Sequence, residues 1–122
     1  MSVRCLLVDD SEEFLASAKR LLESQGIEIV GSATSGDEAL TLATTLGPDV
    51  ALVDIELADE DGIALAQQIE ERASSTRVIL ISAYDREDLL DLVSGSRAAG
   101  FLPKRLLRRD AIVGLLRDAP AG

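Results

Sequence analysis

Short apolar runs alternate five times with longer amphipathic stretches along this chain of 122 residues. The apolar runs are too short for ordinary helices and are bounded by turn residues, which indicates strands buried on both faces. The longer stretches carry apolar side chains at helical spacing and begin or end at capping residues. Strands that alternate with helices in this way form a parallel sheet covered by helices. The sequence therefore predicts a single α/β domain.

The predicted elements have clear boundaries in the sequence. Strands are expected at residues 3–8, 27–33, 50–53, 77–81 and 99–102. Gly26 and Gly47 are predicted to end the first two helices, since glycine readily takes the left-handed conformation found there. The first four predicted helices open at Ser11, at the capping box Ser35-x-x-Glu38, at Ile63 and at Asp85. A fifth helix is predicted to carry Ile112, Leu115 and Leu116 inward.

Composition excludes several classes of protein. The chain is 47% hydrophobic but only 2% aromatic, so its core must be built from Leu, Ile, Val and Ala. No apolar stretch approaches the ~20 residues of a membrane span, and the N-terminus has no signal-peptide pattern. We therefore expect a soluble, cytoplasmic protein with no membrane contact. Cys5 is the one cysteine, which excludes an internal disulfide, and the absence of His excludes imidazole chemistry.

Charge is unevenly distributed along the chain. The net charge of −10 argues against direct nucleic-acid binding, which normally requires a basic surface. Residues 1–71 contain 16 acidic and 3 basic side chains, whereas residues 72–122 contain 6 acidic and 9 basic ones. The later cations include five arginines, which are Arg97, Arg105, Arg108, Arg109 and Arg117.

Four of the five predicted strands end in residues suited to chemistry. Asp9-Asp10, Asp54, Ser82 and Lys104 each follow a strand. Right-handed crossovers bring these ends to one edge of the sheet, where open α/β sheets bind their ligands. The second strand ends in Ala33-Thr34 and is expected to lie outside this group.

The three carboxylates in this group require a positive charge. At ~4 Å separation they repel by about 4 kcal/mol per pair at an effective dielectric of 20. Oxygen ligands without His or Cys favour Mg²⁺. Asp54 is then a candidate nucleophile that forms an acyl phosphate, with Lys104 and the Ser82 hydroxyl contacting phosphoryl oxygens.

Each of these residues also has an ordinary structural explanation. An acidic pair before a helix is often an N-cap, a serine after a strand often begins a turn, and a lone lysine is usually a solvated surface charge. Their joint occurrence at consecutive strand ends favours a functional site.

These motifs resemble those of bacterial two-component receiver domains, including the single-domain chemotaxis response regulators. The resemblance covers residues 3–116, and it implies a flavodoxin-like, doubly wound, five-stranded parallel sheet of order 2-1-3-4-5 with five helices. It is carried by Leu7-Val8-Asp9-Asp10, by Val53-Asp54 with Gly62 eight residues later, by Ile81-Ser82-Ala83, and by Gly100-Phe101-Leu102-Pro103-Lys104.

The resemblance also assigns roles around the phosphate. It implies that Asp54 accepts a phosphoryl group from a histidine kinase or phosphotransfer protein in a Mg²⁺-dependent reaction. Asp10 would bind the metal directly, Asp9 chiefly through water, and the main-chain carbonyl of Glu56 would complete the protein ligands. Lys104 would pair with the phosphoryl group. The domain would carry out self-catalysed phosphorylation and slow dephosphorylation, without being an enzyme in its own right.

By the same resemblance, Ser82 is the switch hydroxyl and Phe101 the aromatic switch, while Glu56 and Tyr84 influence the lifetime of the phosphate. The switched surface would comprise the fourth helix, fifth strand and fifth helix. An output domain, a partner protein or a second copy of the chain is expected to bind there.

Two positions depart from the family pattern. Ala58 stands four residues after Asp54, where the family commonly has proline, so the φ angle is less constrained there. Pro103 precedes Lys104, whereas the family lysine is usually followed by a proline in a cis peptide bond. Both departures leave the functional groups in place.

Two other classes of protein are alternatives to this assignment. A small phosphatase of the haloacid-dehalogenase type also uses Asp, Ser or Thr, Lys and Mg²⁺, but its nucleophile belongs to an Asp-x-Asp motif at the first strand. Here that strand is followed by Asp9-Asp10-Ser11. A flavin-binding protein is disfavoured because the chain has no Trp and no Ser/Thr-rich phosphate loop after the first strand.

Residues 1–118 are expected to form the receiver domain, and residues 119–122 a tail or linker stump. The sequence is compatible both with a single-domain regulator and with a receiver from a longer protein.

Overall fold

The computed structural model describes residues 2–83 and 98–118. Five parallel strands form the central sheet: β1 (Arg4–Val8), β2 (Glu28–Ala33), β3 (Val50–Asp54), β4 (Arg77–Ser82) and β5 (Gly100–Pro103). Their order across the sheet is β2-β1-β3-β4-β5, and all four neighbouring pairs are parallel. The predicted strand order and flavodoxin-like architecture are confirmed.

Three helices connect the first four strands, and a fourth described helix follows β5. They are α1 (Glu12–Ser24), α2 (Gly36–Leu46), α3 (Gly62–Arg72) and the C-terminal helix (Arg109–Asp118), which a 3₁₀ turn at Lys104–Leu106 precedes. The helix predicted to begin at Asp85 lies outside the described residues. Within the described part of the chain, no helix is long and apolar enough to cross a membrane.

The strands are buried on both faces, which explains their nearly continuous apolar sequences. On β3, Val50 and Leu52 pack on the face covered by α1 and the C-terminal helix, whereas Ala51 and Val53 pack on the face covered by α2 and α3. The buried side chains are mainly Leu, Ile, Val and Ala, as the composition predicts. Burial raises the pKa of the Cys5 thiol to about 12, so this side chain behaves as a small apolar residue.

Capping side chains fix the helix ends at the predicted places. The Ser11 hydroxyl accepts a hydrogen bond from Phe14 N, and the Ser35 hydroxyl accepts one from Glu38 N. The Glu38 carboxylate in turn accepts from Thr34 N at 2.8 Å, which completes a capping box displaced by one residue. Gly47 ends α2 with φ +56°.

The acidic segment after β3 contains two further short strands. Glu56–Leu57 and Glu60–Asp61 form a short antiparallel hairpin. Ala58, at its tip, has φ +44°, a conformation that proline cannot adopt. The backbone at position 58 therefore differs from that of a loop with proline there, and the difference is larger than a loss of constraint on φ. The Glu60 carboxylate accepts from Gly36 N at 3.0 and 3.1 Å, which ties this hairpin to the start of α2.

Candidate functional site

The carboxyl ends of four neighbouring strands meet at one edge of the sheet. In the strand register, Val8 lies beside Val53, Asp54 beside Ile81, and Ser82 beside Pro103. Asp9, Asp54, Ser82 and Lys104 are therefore at the ends of adjacent strands, as predicted. Ala33, at the end of β2, pairs with Val8 on the other side of β1.

Asp9 is the most deeply buried acid of the site. It has no exposed surface, and its Oδ1 accepts a hydrogen bond from Ser11 N at 2.9 Å. Its Oδ2 lies 2.5 Å from Lys104 Nζ, in an ion pair. Among residues 2–83 and 98–118, no donor is aligned for a hydrogen bond to this second oxygen. Asp9 Oδ2 is thus a buried anionic oxygen whose contact is with a cation.

Asp54 lies at the end of the central strand with only 6% of its surface exposed. Its Oδ1 accepts from Glu56 N at 2.9 Å, and its Oδ2 lies 3.2 Å from Lys104 Nζ. Burial raises the pKa of Asp54, although the Glu56 amide and the charge of Lys104 oppose this effect. A carboxylate held in this way is partly desolvated and fixed in orientation, as a nucleophile requires.

Lys104 joins the two acids. It is the first residue of the 3₁₀ turn after β5, and 18% of its side chain is exposed. Burial lowers the pKa of Lys104, but the close contact with Asp9 and the charge of Asp54 more than offset it, so the pKa is raised. The ammonium therefore remains charged between two carboxylates.

The three acids form a group that fits a divalent cation. Oxygens of Asp9, Asp10 and Asp54 lie within 4.8 Å of one another, with Asp10 exposed to solvent. Oxygens bound to one Mg²⁺ lie no more than about 4.2 Å apart, so a bound ion would draw these three oxygens closer together. Asp9 Oδ2, which contacts a cation but accepts no hydrogen bond from the described residues, and the all-oxygen donor set both suit such an ion.

The predicted switch residues have different surroundings. Ser82 is the last residue of β4 and is almost completely buried, at 1% exposure. Phe101 on β5 is half-buried and packs against the core on the face of α2 and α3. Glu56 lies in the hairpin next to Asp54, and its main-chain carbonyl as a metal ligand stays a prediction. Tyr84 lies outside the described residues.

Phe14 belongs to the site but was missed from the sequence. No motif in the sequence singles it out, yet Lys104 Nζ lies 4.2 Å from the centroid of its ring. The available signal was its place in the first helical turn after the acidic pair, in a chain with only two Phe and one Tyr.

The doubly wound sheet, with an acidic group and a paired lysine at its carboxyl edge, defines a class of small α/β proteins with a charged site at the ends of their strands. Comparison with known proteins identifies the family. Residues 5–117 match the response regulator receiver domain. The chain belongs to this family, and it is a receiver domain of two-component signal transduction.

Individual relatives agree with this assignment. The chain is 40% identical over 141 residues to the protein-glutamate methylesterase/protein-glutamine glutaminase of Alkalilimnicola ehrlichii, covering 100% of this chain and 35% of that protein. The solved signal receiver domain of NarL from Mycobacterium tuberculosis is 34% identical, with a TM-score of 0.82 over 97% of this chain and 96% of that chain.

A further solved structure is the CheX–CheY–BeF₃–Mg²⁺ complex from Borrelia burgdorferi, in which the matching chain is 29% identical. The match has a TM-score of 0.74 and covers 93% of this chain and 86% of that chain. This chain spans between 24% and 55% of the length of eight curated relatives. The alternative of a haloacid-dehalogenase-type phosphatase is not supported by any of these matches.

Proposed function

We propose that Asp54 accepts a phosphoryl group from a histidine kinase or phosphotransfer protein. This proposal rests on two hydrogen bonds that the Asp54 carboxylate accepts, one from the Glu56 amide at 2.9 Å and one from the Lys104 ammonium at 3.2 Å. One group orients the nucleophile, and the other places a positive charge beside the position of the transferred group.

In the proposed reaction, an oxygen of Asp54 forms a bond to phosphorus as the phosphorus–nitrogen bond of the donor phosphohistidine breaks. The electron pair of that bond stays on the imidazole, which takes up a proton. The product is an acyl phosphate. Lys104 neutralises charge on the phosphoryl oxygens, and the Ser82 hydroxyl donates to another of them. The protein contributes to such a reaction mainly by positioning the groups and by stabilising charge, since phosphoryl transfer requires little further covalent chemistry from it.

Magnesium is the proposed cofactor. Receiver domains bind Mg²⁺ at an acidic cluster, and we assign that role here to Asp9, Asp10 and Asp54, with the main-chain carbonyl of Glu56. When bound, the ion would supply positive charge to the phosphoryl oxygens. The Borrelia complex, which contains BeF₃ and Mg²⁺, supports this assignment by analogy.

The same proposal limits the domain to self-catalysed chemistry. Slow hydrolysis of the acyl phosphate, influenced by Glu56 and Tyr84, is the only turnover we assign to it. The methylesterase and glutaminase activities in the name of the Alkalilimnicola relative are those of that longer protein, of which this chain covers 35%. We further infer a cytoplasmic domain comprising residues 1–118, followed by a tail or linker at residues 119–122.

Acetyl phosphate is expected to add one phosphoryl group to Asp54 in the presence of Mg²⁺. Intact-mass measurement should show a single adduct, which is absent in Asp54→Asn and in chelator. The matched control is Asp59→Asn, because Asp59 is an exposed acid in the neighbouring hairpin. An adduct of equal yield in Asp54→Asn, or one that forms without a divalent ion, would contradict the proposed function.

We also propose that phosphorylation changes a surface remote from Asp54. Phosphate on Asp54 attracts the Ser82 hydroxyl, and the space that the serine leaves allows the Phe101 ring to turn inward. A ring of this size has two discrete arrangements, which makes the response a switch. If the active arrangement is populated at a few per cent beforehand, about 3 to 4 kcal/mol of differential binding would make it dominant.

The switched surface is assigned to the predicted fourth helix, β5 and the C-terminal helix, where an output domain, a partner protein or a second copy would bind. The exposed Arg105, Arg108, Arg109 and Arg117 give this end of the acidic chain a positive charge. Arg97, the fifth cation of the group, lies outside the described residues. A basic surface of this kind suits an acidic partner surface.

Beryllofluoride, which mimics the acyl phosphate, is expected to shift backbone amide resonances at Phe101 and across residues 86–117. Ser82 and Phe101 would move with the mimic, and the helices on either side would follow. The spectra of Asp54→Asn with and without beryllofluoride provide the control. Changes confined to the neighbourhood of Asp54 would show that the domain does not signal through this surface.

A further inference from the structure

Lys104 has an aromatic neighbour as well as two acidic ones. Its Nζ lies 4.2 Å from the centroid of the Phe14 ring, 2.5 Å from Asp9 Oδ2 and 3.2 Å from Asp54 Oδ2. A cation over the face of an aromatic ring, within about 6 Å of its centre, is attracted by the negative face of the ring. The ammonium is thus held by two carboxylates and one ring.

The Phe14 ring is itself fixed in place. Phe14 N donates to the Ser11 hydroxyl at 3.2 Å, and the ring packs against the core on the face of α1 and the C-terminal helix. Ser11 N in turn donates to Asp9 Oδ1 at 2.9 Å. The short segment from Asp9 to Phe14, which leads into α1, therefore provides both an anionic and an aromatic partner for the Lys104 ammonium. Neither needs to be ordered at the moment of reaction.

The three contacts of Lys104 differ in what happens to them during phosphorylation. Asp9 is a proposed metal ligand, so a bound cation competes with Lys104 for its oxygen. Asp54 is the proposed nucleophile, so its oxygen becomes part of the acyl phosphate. The ring of Phe14 is neither a metal ligand nor a reacting group, and it takes no part in proton exchange. It is the contact that persists while the other two change.

We propose that Phe14 is a positioning residue that keeps the Lys104 ammonium beside Asp54 through its aromatic ring. The inference rests on the proposed function, since it assigns a role within the same phosphoryl transfer. Lysine has a flexible side chain of four methylene groups, and its ammonium stabilises the transfer only while it is near the phosphoryl oxygens. Losing the ring lowers the fraction of molecules in which Lys104 is correctly placed.

Fluorinated phenylalanines at position 14 separate the ring's electrostatics from its shape. Fluorine atoms weaken the negative face of the ring with little change in size, so packing is retained. With acetyl phosphate and saturating Mg²⁺, the initial rate of adduct formation should fall stepwise from one to three fluorine atoms, by about three- to tenfold in total. The melting temperature should stay constant across the series.

Ordinary substitutions provide matched comparisons. Phe14→Leu keeps an apolar side chain without an aromatic face and should lower the rate by a similar factor. Phe14→Tyr and Phe14→Trp keep that face and should restore the rate to within about twofold. A merely structural role for Phe14 would produce losses that follow the melting temperature instead of the electrostatics of the ring.

A measurement without turnover tests the same contact. In the unmodified protein, the ε-methylene protons of Lys104 should resonate upfield because the ring shields them, and this shift should disappear in Phe14→Leu. Failure of the unmodified protein to form any adduct would overturn the proposed function and, with it, this inference. An adduct that forms at the same rate regardless of fluorination, or a Lys104 shift unchanged in Phe14→Leu, would overturn the inference alone.

Discussion

Gly62→Ala is expected to destabilise the protein by about 3 kcal/mol or more, which is large for the addition of one methyl group. A Cβ atom at this position would lie 2.0 Å from the main-chain oxygen of Asp54 and 2.8 Å from Ile55 Cα. These are backbone atoms, so no side-chain rotation relieves the overlap. Gly62 N also donates to Ile55 O at 3.0 Å, which keeps the two segments together. Urea denaturation monitored by circular dichroism measures the change.

Gly114→Ala is the matched control for that substitution. Gly114 lies inside the C-terminal helix, and a Cβ atom there would meet nothing within 4 Å. Alanine should therefore stabilise the helix by about 0.5 to 1 kcal/mol, because glycine is a poor helix former. Equal stability for Gly62→Ala and the parent protein would mean that the β3–α3 connection is not packed as the structure has it. If Gly62→Ala folds, impaired phosphorylation is also expected, since the displaced backbone carries Asp54.

The fold could be predicted from the sequence because the alternation of short apolar runs with amphipathic stretches is repeated five times. Each strand is buried on both faces, so its apolar run is continuous, and the first three helices begin or end close to a recognisable capping residue. The hairpin at residues 56–61 lacked such a signal. Its strands are only two residues long, and alanine is not a residue that favours the left-handed conformation found at Ala58.

The site could be predicted from the sequence only in part. The rule that parallel strands end at one edge correctly brings Asp9, Asp54 and Lys104 together across nearly the whole chain. The sequence does not show how deeply either acid of the Asp9-Asp10 pair is buried, whereas the structure buries Asp9 completely and leaves Asp10 exposed. It also could not place Phe14 over Lys104, because that contact depends on the orientation of α1 relative to the turn after β5.

Part of the positive charge that the three carboxylates need comes from Lys104. Mutual repulsion of the three carboxylates predicted a metal, and in the structure the Lys104 ammonium already contacts two of the three acids. The metal-free site is therefore partly neutralised. Binding a divalent ion then involves competition with this lysine for Asp9, in addition to relief of repulsion.

Lys104→Met is expected to destabilise the protein in chelator by about 3 kcal/mol. Methionine has a similar length but no charge, so the completely buried Asp9 and the nearly buried Asp54 lose their shared cation. Removing one partner of a buried ion pair leaves an uncompensated charge, which costs more than the pair itself contributes. Added Mg²⁺ should recover much of the loss, since a bound ion replaces the missing positive charge and stabilises the folded state by mass action.

Arg108→Met is the control for this substitution, because it removes the same charge from an exposed position and should change stability by less than about 0.5 kcal/mol. Denaturant titrations in chelator and at several Mg²⁺ concentrations give both quantities for each variant. The stabilisation by Mg²⁺ should be larger in Lys104→Met than in the parent, because no ammonium competes for Asp9 Oδ2. If Lys104→Met and Arg108→Met were equally stable in chelator, the ion pairs of Lys104 would make no net contribution. If Mg²⁺ stabilised Lys104→Met less than the parent, the lysine and the metal would not be competing for the same carboxylate.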